Sequence, residues 1–400
     1  MNQAFIYDGG RTAFGRHGGC LSSTRPDDLL AHAIKNVVER NPFDPKFYED
    51  VIAGNTNQAG EDCRNVARFA GLLAGLPIET GGLTLNRLCG SGLSAALDAS
   101  RCIKSGEGEL FVAAGVENMS RAPLVISKAT NAFDRGQQLV DTTMGARFTN
   151  PQIIAKFEND TMPQTADNIA SDIGISREQS DIFAAASQAK YEAARLGGFF
   201  DDEIIPIDVF QGRKKPLLTV NADEHPRSSS NFEGLQKLRP LFEGGVVTAG
   251  NASGINDGAF AMIVGSEAIG KQFDVKPRAR IIAGAIAGVE PRLMGLGPVP
   301  ASRKALERAG LTLDDMDVME FNEAFATQAL GCMKQLNIDF DDPRVNPNGG
   351  AIAVGHPLGA SGGRILLTAL RQLERTSGRY ALATMCIGIG QGIAVVIERV

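Results

Sequence analysis

The hydrophobic and polar positions of this chain follow two alternating patterns. Short apolar runs such as AFIYDG (4–9), YEDVIAGN (48–55) and ELFVAAGVE (109–117) are typical of β-strands. Between them lie longer segments with apolar residues at helical spacing, PDDLLAHAIKNVVER (26–40) and VARFAGLLAGL (66–76). This alternation predicts an α/β fold built from layers of helices and strands.

The middle of the chain departs from this pattern. From about residue 121 to residue 246, predicted strands become rare and polar segments such as NADEHPRSSSNFEG dominate. One helix is still predicted there, at 176–196, with Ser176 as its N-cap and an acid or amide near the third position. We interpret this region as an insertion that covers a substrate.

A second copy of the α/β pattern follows the insertion. The segment AIKNVVERNPFDPKFYEDVIAGN resembles SRKALERAGLTLDDMDVMEFNEA in its order of helix, break, acidic turn and strand. One offset of 267 residues (322 − 55 and 356 − 89) pairs Asn55 with Asn322 and Cys89 with His356. Duplication predicts two similar halves related by a pseudo-twofold axis, which would bring Cys89 and His356 together. The alternative is chance similarity between two α/β stretches.

Composition narrows the function classes. A chain of 400 residues suggests two or three domains, and a net charge of −6 argues against a broad nucleic-acid surface. The six cysteines are scattered without a CxxC pair, which indicates reduced thiols in the cytoplasm, and no metal-binding signature is present. The uncharged run 381–397 is interrupted by glycines, so we expect a buried strand pair and no membrane span.

Four residues combine into a candidate catalytic group. Cys89 lies in a glycine-flanked turn before a helical run, where the helix N-terminus stabilises a thiolate. His356, in the glycine-rich NPNGGAIAVGHPLGASGG, is the candidate base. Cys386 ends an apolar strand and could carry protons, while its neighbouring amides could form an oxyanion hole. Asn322 either caps a helix or holds a water or an oxyanion.

Other functions remain open at this point. The segment 90–95, GSGLSA, fits a dinucleotide fingerprint with Glu117 as the following acid, which would indicate an NAD-dependent oxidoreductase. A papain-like protease would also use Cys, His and Asn, but in a different chain order and with a different cysteine motif. A catalytically silent binder of CoA or lipid is the third alternative.

Four motifs resemble those of the thiolases (acetyl-CoA acyltransferases). They are NRLCGSG around Cys89, NEAFA at Asn322, GGAIAVGHPLGASG at His356 and CIGIGQG at Cys386, and the resemblance runs from end to end. It implies the thiolase fold: two duplicated βαβαβαββ halves in a five-layered αβαβα arrangement with an inserted loop domain. The N-terminal half would comprise residues 1–121 and 247–276, the inserted domain 122–246 and the C-terminal half 277–400.

The resemblance also implies roles for the site residues. Cys89 would carry the acyl group as a thioester, and His356 would activate it. Cys386 would act as acid and base toward CoA or the acetyl enolate. Asn322 would hold a water that, with His356, stabilises the enolate oxygen, and the backbone N–H groups of Cys89 and Gly388 would form the second oxyanion hole.

Coenzyme A would be a co-substrate, with no cofactor bound permanently. Arg227 would lie against its adenine, and Ser253 would bond the pantetheine arm. The residues expected to line an apolar tunnel for that arm are Met162, Met294 and Phe325. The basic run Arg213, Lys214 and Lys215 would either contact the CoA phosphates or form a solvated face. The family forms homodimers and homotetramers.

Among thiolases, the chain looks most like the 3-oxoadipyl-CoA (β-ketoadipyl-CoA) thiolases of aromatic degradation. NDTMPQTADN around Met162 lacks the histidine of many acetoacetyl-CoA thiolases. Cys63 stands where that subgroup often has Asn, which keeps acetoacetyl-CoA and longer fatty-acid substrates open. We expect Arg147 to pair with the terminal carboxylate of the substrate, because arginine binds carboxylates bidentately; a surface ion pair is the alternative.

Overall fold

The structure, a computed structural model, describes residues 2–145, 147–157, 159–212 and 216–400. Its strands, in chain order, are β1 Ala4–Thr12, β2 Gly15–Arg16, β3 Tyr48–Gly54, β4 Gly81–Leu85, β5 Leu110–Asn118, β6 Leu124–Ile126, β7 Leu139–Asp141, β8 Ile204–Ile205, β9 Ile207–Val209, β10 Leu218–Val220, β11 Asn256–Ser266, β12 Ala279–Gly288, β13 Val318–Phe321, β14 Tyr380–Ile387 and β15 Gln391–Arg399. The predicted strands at 4–9, 48–55 and 109–117 are confirmed, and the uncharged run 381–397 forms the antiparallel pair β14–β15.

The α-helices are α1 Pro26–Glu39, α2 Val66–Leu73, α3 Ser91–Ser105, α4 Pro151–Phe157, α5 Met162–Ile173, α6 Arg177–Leu196, α7 Phe232–Gln236, α8 Glu267–Gln272, α9 Pro298–Ala309, α10 Ala326–Gln335, α11 Ala351–Val354 and α12 Leu358–Thr376. Ser176 caps α6 as predicted, with Gln179 completing a capping box. None of the helices in the described ranges is long and apolar enough to cross a membrane.

The large sheet shows the duplication that the sequence offset predicts. In the N-terminal half the strand order is β3-β5-β11-β1, and in the C-terminal half it is β13-β14-β15-β12. Each half begins with a parallel pair and continues with antiparallel pairs. The two halves join where β1 pairs antiparallel with β12. Equivalent strands therefore occupy equivalent places on either side of this junction.

Three apolar cores lie between five layers, and the central core fills the space on both sides of the middle layer of helices. Helices α1 and α2 cover the outer face of the N-terminal half, α3 and α12 lie between the two halves, and α9 and α10 cover the outer face of the C-terminal half. Alternate residues of β5 explain its continuous apolar run: Phe111 and Ala113 face the central core, while Leu110 and Val112 face the outer core. The N-terminal turns of the two central helices are thereby almost fully buried, while their C-terminal ends reach the surface.

The two halves differ at one strand of the expected βαβαβαββ order. The N-terminal half has β4 at the edge of the sheet, whereas the corresponding C-terminal segment makes a single parallel bridge between Met319 and Val345. The adjacent Asn346 explains the difference, because its side chain accepts from the Phe321 N–H (2.8 Å) and donates to the Phe321 carbonyl (2.9 Å). Pro347 follows and has no N–H to extend a strand.

The region between β5 and β11 contains α4 to α7 and two small antiparallel sheets, β6–β7 and β9–β10. It is tied to the main sheet, since β8 pairs in parallel with β1. A buried ion pair adds to this tie: Arg11 Nε lies 2.6 Å from Glu203 Oε1, and both side chains are fully buried. The inserted region is therefore anchored on the N-terminal half.

Candidate active site

The central helices α3 and α12 bring the two predicted reactive residues to the same end of the molecule. Cys89 lies two residues before α3, and His356 lies two residues before α12. The first turns of these helices touch through glycines: a Cβ on Gly92 would lie 2.8 Å from the Gly359 carbonyl oxygen. Glycine is required at this contact because any side chain would separate the helices.

The turn that carries Cys89 is held by local hydrogen bonds. The Arg87 N–H donates to Ser91 Oγ (2.8 Å), and Ser91 Oγ donates to the Leu88 carbonyl (2.7 Å). Leu88 adopts a left-handed conformation with φ of 45°. Asn86 closes the turn from the other side by accepting from the Leu88 N–H at 2.8 Å. These bonds fix the backbone on which the thiol is mounted.

Burial decides the charge state of Cys89. The backbone amides of Gly388 and of Cys89 itself both lower the pKa of the thiol, as expected for an anion-stabilising site. Burial outweighs them and raises the pKa to about 11, with a smaller contribution from Glu117. The expected stabilisation of the thiolate by its surroundings is therefore present but too weak to ionise Cys89 at neutral pH.

His356 is buried and held at both its backbone and its ring. Its N–H donates to Asn256 Oδ1 (2.9 Å), and its Nδ1 lies 2.6 Å from Ser361 Oγ. The preceding Gly355 has a φ of 104°, which favours glycine, and a Cβ there would lie 2.5 Å from the Asn256 side chain. Burial, followed by the charge of Arg364, lowers the pKa of His356 to about 3. The imidazole is thus neutral at physiological pH.

Ser361 sets the tautomer of this neutral imidazole. Its hydroxyl donates to the Pro357 carbonyl (2.9 Å), so its oxygen accepts from the N–H at Nδ1 of His356. Nε2 is then the unprotonated ring nitrogen, and its lone pair can take a proton. The geometry therefore supplies a neutral base with a defined basic atom.

Asn322 lies beside that atom. It follows β13, is fully buried, and its Nδ2 lies 3.4 Å from His356 Nε2. Its own N–H donates to the Thr384 carbonyl of the neighbouring strand (3.0 Å). Within the part of the chain that the structure describes, Asn322 Oδ1 has no hydrogen-bond partner. A buried acceptor in this state fits a polar ligand or a water at the same place.

Cys386 is the second thiol of the site. It lies near the end of β14 and is buried, and burial followed by the charge of Cys89 raises its pKa well above the ordinary value. It belongs to an apolar cluster whose other buried members are Ala166, Val247, Met294, Ala324 and Phe325. A neutral thiol at an apolar wall can give a proton to a neighbouring carbanion and take one back.

The predicted apolar positions meet at this cluster. Met294 and Phe325 are members of it, and Met162 reaches the turn after Cys386, since a Cβ on Gly388 would lie 3.8 Å from the Met162 sulfur. Met162 is also the least buried of the three, with 36% of its surface exposed. The three side chains thus form a wall that extends from the buried thiol of Cys386 toward solvent.

A surface pocket continues from this wall. The pocket, of about 190 Å³, is lined by Gln188, His225, Arg227, Ala252 and neighbouring residues. Ala252 also packs against the Cys386 cluster and forms a bridge with Phe325, so pocket and cluster are contiguous. The N–H of half-buried Ser253 donates to the Ala324 carbonyl (2.9 Å), which fixes this strand-like crossing.

Two further features, a second cleft and the basic run at 213–215, bear on the predicted site. A larger cleft of about 670 Å³, lined by Asp8, Arg40, Arg278 and others, contains none of the predicted site residues. Arg213, Lys214 and Lys215 lie outside the described residues.

Arg147 bonds to the loop after β3. Its Nη1 lies 3.3 Å from Asn57 Oδ1, and Nη2 donates to the Asn57 carbonyl. The neighbouring Thr56 carbonyl accepts from Asn86 Nδ2 (3.1 Å), three residues before Cys89. No carboxylate pairs with Arg147 among the described residues, so the surface ion pair considered for it is not found there.

Three residues have roles at this site that the sequence did not reveal. Ser361 orients the imidazole, Asn256 holds the His356 backbone, and the Glu117 carboxylate accepts from the Gly359 N–H at 3.0 Å. Ser361 lies inside the motif GGAIAVGHPLGASG, and Glu117 ends the apolar run ELFVAAGVE, but neither motif shows these contacts. The oxygens of Glu117 are bound by internal donors, which speaks against its role in a dinucleotide fingerprint.

Comparisons with known proteins agree with this geometry. The sequence profile for the thiolase N-terminal domain matches residues 4–268, and that for the thiolase C-terminal domain matches residues 275–399. A β-ketoadipyl-CoA thiolase from Escherichia coli is 55% identical over 402 residues, covering 100% of both chains. An acetyl-CoA acetyltransferase from Allochromatium vinosum is 44% identical over 98% of both chains.

Solved structures show the same fold. Human mitochondrial 3-ketoacyl-CoA thiolase in complex with CoA superposes with a TM-score of 0.92 and 40% identity, covering 100% of this chain and 98% of that chain. The expected α/β fold of two duplicated halves is thereby confirmed.

Proposed function

The chain belongs to the thiolase family, and we propose that it cleaves 3-oxoadipyl-CoA with CoA to succinyl-CoA and acetyl-CoA during the breakdown of aromatic compounds. The observation that carries the proposal is the convergence of Cys89, His356, Asn322 and Cys386 at one end of α3 and α12. The full-length identity to a β-ketoadipyl-CoA thiolase supports the choice of substrate.

The first half-reaction transfers the acyl group to the enzyme. His356 Nε2 takes the proton of Cys89 as its sulfur attacks the C3 carbonyl, because neither group is ionised beforehand. The N–H groups of Cys89 and Gly388 stabilise the developing oxyanion. The C2–C3 bond then breaks, which leaves a thioester on Cys89 and the enolate of acetyl-CoA.

The enolate needs donors for its oxygen and a proton for its carbon. Asn322, through a water it holds, and the protonated His356 stabilise the oxygen, while Cys386 protonates the carbon to give acetyl-CoA. The resulting thiolate of Cys386 then takes the proton of an incoming CoA thiol. The CoA sulfur attacks the thioester, and Cys89 leaves and recovers its proton from His356.

The binding of CoA follows the contiguous pocket and wall. Arg227 lies at the pocket where we place the adenine, Ser253 bonds the pantetheine arm, and Met162, Met294 and Phe325 line its path to the thiols. Residues 122–246 would then act as the inserted loop domain over this path, since they supply Arg227 and Met162. The remaining division, 1–121 with 247–276 and then 277–400, is proposed as the two catalytic halves.

Arg147 is proposed to bind the terminal carboxylate of the substrate. Its guanidinium is anchored on Asn57 and has no carboxylate partner among the residues described, so it can bind an anion. Charge-assisted bonds contribute about 1.5–3 kcal/mol, which corresponds to about 10- to 150-fold in KM.

The test is CoA-dependent thiolysis of 3-oxoadipyl-CoA beside acetoacetyl-CoA. We expect the wild-type enzyme to prefer the dicarboxylic substrate. In Arg147→Ala we expect the KM for this substrate to rise about 10- to 150-fold, and the KM for acetoacetyl-CoA to change by less than about twofold. Arg135→Ala, an exposed arginine of the same region, is the matched control. Cys89→Ala should abolish both activities. Equal effects of Arg147→Ala on both substrates, or a preference for acetoacetyl-CoA or longer chains, would reject the substrate proposal.

The assembly and compartment are part of the proposal. Strand β4 ends the sheet in the described strand order, and its Leu83 is 46% exposed; α2, which packs against β4, exposes Phe69 and Leu73. An open strand edge with apolar neighbours favours pairing with a second copy, so we expect a homodimer or a homotetramer. Light scattering of Leu83→Lys should show dissociation. All six cysteines are free, which supports the cytoplasm.

A further inference from the structure

Glu117, near the end of β5, carries a buried carboxylate that joins two segments of the site. Its Oε2 accepts from the Thr56 N–H (3.1 Å), Thr56 Oγ (2.8 Å) and the Gly359 N–H (3.0 Å). Its Oε1 accepts from the Asn57 N–H (3.0 Å). The side chain is 1% exposed, so these four donors take the place of water around the carboxylate.

Each of the joined segments carries a part of the site. Gly359 lies in the first turn of α12, three residues after the base His356. Asn57 anchors Arg147, and the Thr56 carbonyl binds Asn86 of the Cys89 turn at 3.1 Å. The two segments come from different halves of the duplicated fold. Glu117 is therefore the point at which the base and the loop that holds Arg147 are connected.

We propose that Glu117 is a positioning residue that keeps the base-bearing start of α12 in register with the Thr56–Asn57 loop, and so couples catalysis to recognition of the substrate's distal carboxylate. This inference rests on the proposed function. A carboxylate suits the task because it only accepts, and all four of its partners donate. It also lies at a helix N-terminus, where the peptide dipoles favour a negative charge.

Charge supports this arrangement. The pKa of Glu117 is raised to about 7, chiefly by burial and less by the charge of Asp62, although the bonds from Thr56, Asn57 and Gly359 lower it. The donors thus bind the ionised form preferentially. A glutamine at this position would direct its NH₂ group at one of these N–H or O–H donors and would break at least one tie.

The experiment compares Glu117→Gln and Thr56→Val in the full-length enzyme. In Glu117→Gln we expect kcat for acetoacetyl-CoA to fall about tenfold, because the base moves relative to the thiol. We also expect the ratio of KM for 3-oxoadipyl-CoA to KM for acetoacetyl-CoA to rise about tenfold, since Arg147 loses its fixed support. Thr56→Val removes one donor and should change the same ratio in the same direction by about threefold.

The control is Leu370→Ala, which opens the buried core side of α12 without touching these bonds. It should lower the melting temperature and leave the KM ratio unchanged. The proposal is overturned if folded Glu117→Gln keeps the wild-type kcat and KM ratio, or if Leu370→Ala shifts the ratio as much. If Glu117→Gln does not fold, the ratio in Thr56→Val decides.

Failure of the proposed function would look different. If the wild-type enzyme does not cleave 3-oxoadipyl-CoA, the substrate proposal is wrong. The role of Glu117 in holding the base is then decided by kcat for acetoacetyl-CoA in Glu117→Gln alone, where a wild-type value rejects it.

Discussion

Replacing Ser361 by alanine should disable the base without removing it. In the wild-type protein Ser361 Oγ accepts from Nδ1 of His356 at 2.6 Å and leaves Nε2 unprotonated. Without this acceptor the buried Nδ1–H has no partner among the described contacts of His356. The proton then moves to Nε2, where the unpartnered Oδ1 of Asn322 can accept it after a turn of the amide. That tautomer cannot take the proton of Cys89.

The magnitude follows from the buried hydrogen bond. Leaving a buried donor unsatisfied costs about 1–3 kcal/mol, and a tenfold change in an equilibrium corresponds to about 1.4 kcal/mol. The productive tautomer should therefore become about 5- to 150-fold rarer, and kcat/KM should fall by the same factor. The backbone of His356 stays bound to Asn256, so the fold around the site should persist.

The assay is the rate of thiolysis of acetoacetyl-CoA by Ser361→Ala, with the melting temperature measured in parallel. Ser302→Ala is a matched control, because Ser302 is also a fully buried helical serine but its hydroxyl has no partner among the described residues. We expect Ser302→Ala to retain wild-type activity. A value of kcat/KM within about twofold of wild type in Ser361→Ala would show that Ser361 does not set the tautomer.

Three further outcomes test the chemistry and the packing. Since the pKa of Cys89 is about 11, the rate of its alkylation by iodoacetamide should rise about tenfold per pH unit between about pH 6 and pH 9. Cys89→Ala is the control, and a rate that levels off near neutral pH would contradict the raised pKa. Gly363→Ala places a Cβ 2.1 Å from the Phe260 ring, so urea unfolding should show a loss of about 1–3 kcal/mol or more, and an unchanged midpoint would argue against the close packing. Glu203→Gln removes one of the two buried carboxylates on Arg11 and leaves Asp223 paired with the guanidinium, so urea unfolding should show a loss of about 1.5–3 kcal/mol for the charged hydrogen bond; a loss of about 3–5 kcal/mol would mean that Asp223 alone does not compensate Arg11.

The strands, the duplication and the catalytic residues could be predicted because each depends on a pattern of residues that are close together in the sequence. β-Strands buried on both faces, such as β5 and β14, are continuous apolar runs that are hard to mistake. The offset of 267 residues was visible because α3 and α12 begin at equivalent glycine-rich turns, 91 and 358 (358 − 91 = 267). Close helix contacts require glycine at fixed positions, so the pattern survives in both copies.

Other features could not be predicted because they depend on contacts between distant segments. The helix N-terminus was expected to stabilise the thiolate of Cys89, but desolvation by segments that are distant in sequence raises the pKa of this thiol. In the C-terminal half, the side chain of Asn346 makes hydrogen bonds to Phe321 at the place where the N-terminal half has strand β4. This depends on how the two residues lie in the folded chain. The partner of Ser361 is nearby in sequence, yet its orientation toward Nδ1 follows from the helical turn after Pro357.

The duplicated fold explains how one backbone arrangement performs two different tasks. Asn55 and Asn322 both follow the parallel strand of their half, and in both the side-chain oxygen is buried without a partner among the described residues. Their amide groups differ: Asn55 Nδ2 is bound by Asp62 and by the Val116 carbonyl, whereas Asn322 Nδ2 faces His356. The amide of Asn55 in the N-terminal copy thus holds the loop beside Cys89, whereas the amide of Asn322 in the C-terminal copy is available to the reacting atoms. A nucleophile on one half and a base with its amide partner on the other then meet where α3 and α12 touch, which neither half could provide alone.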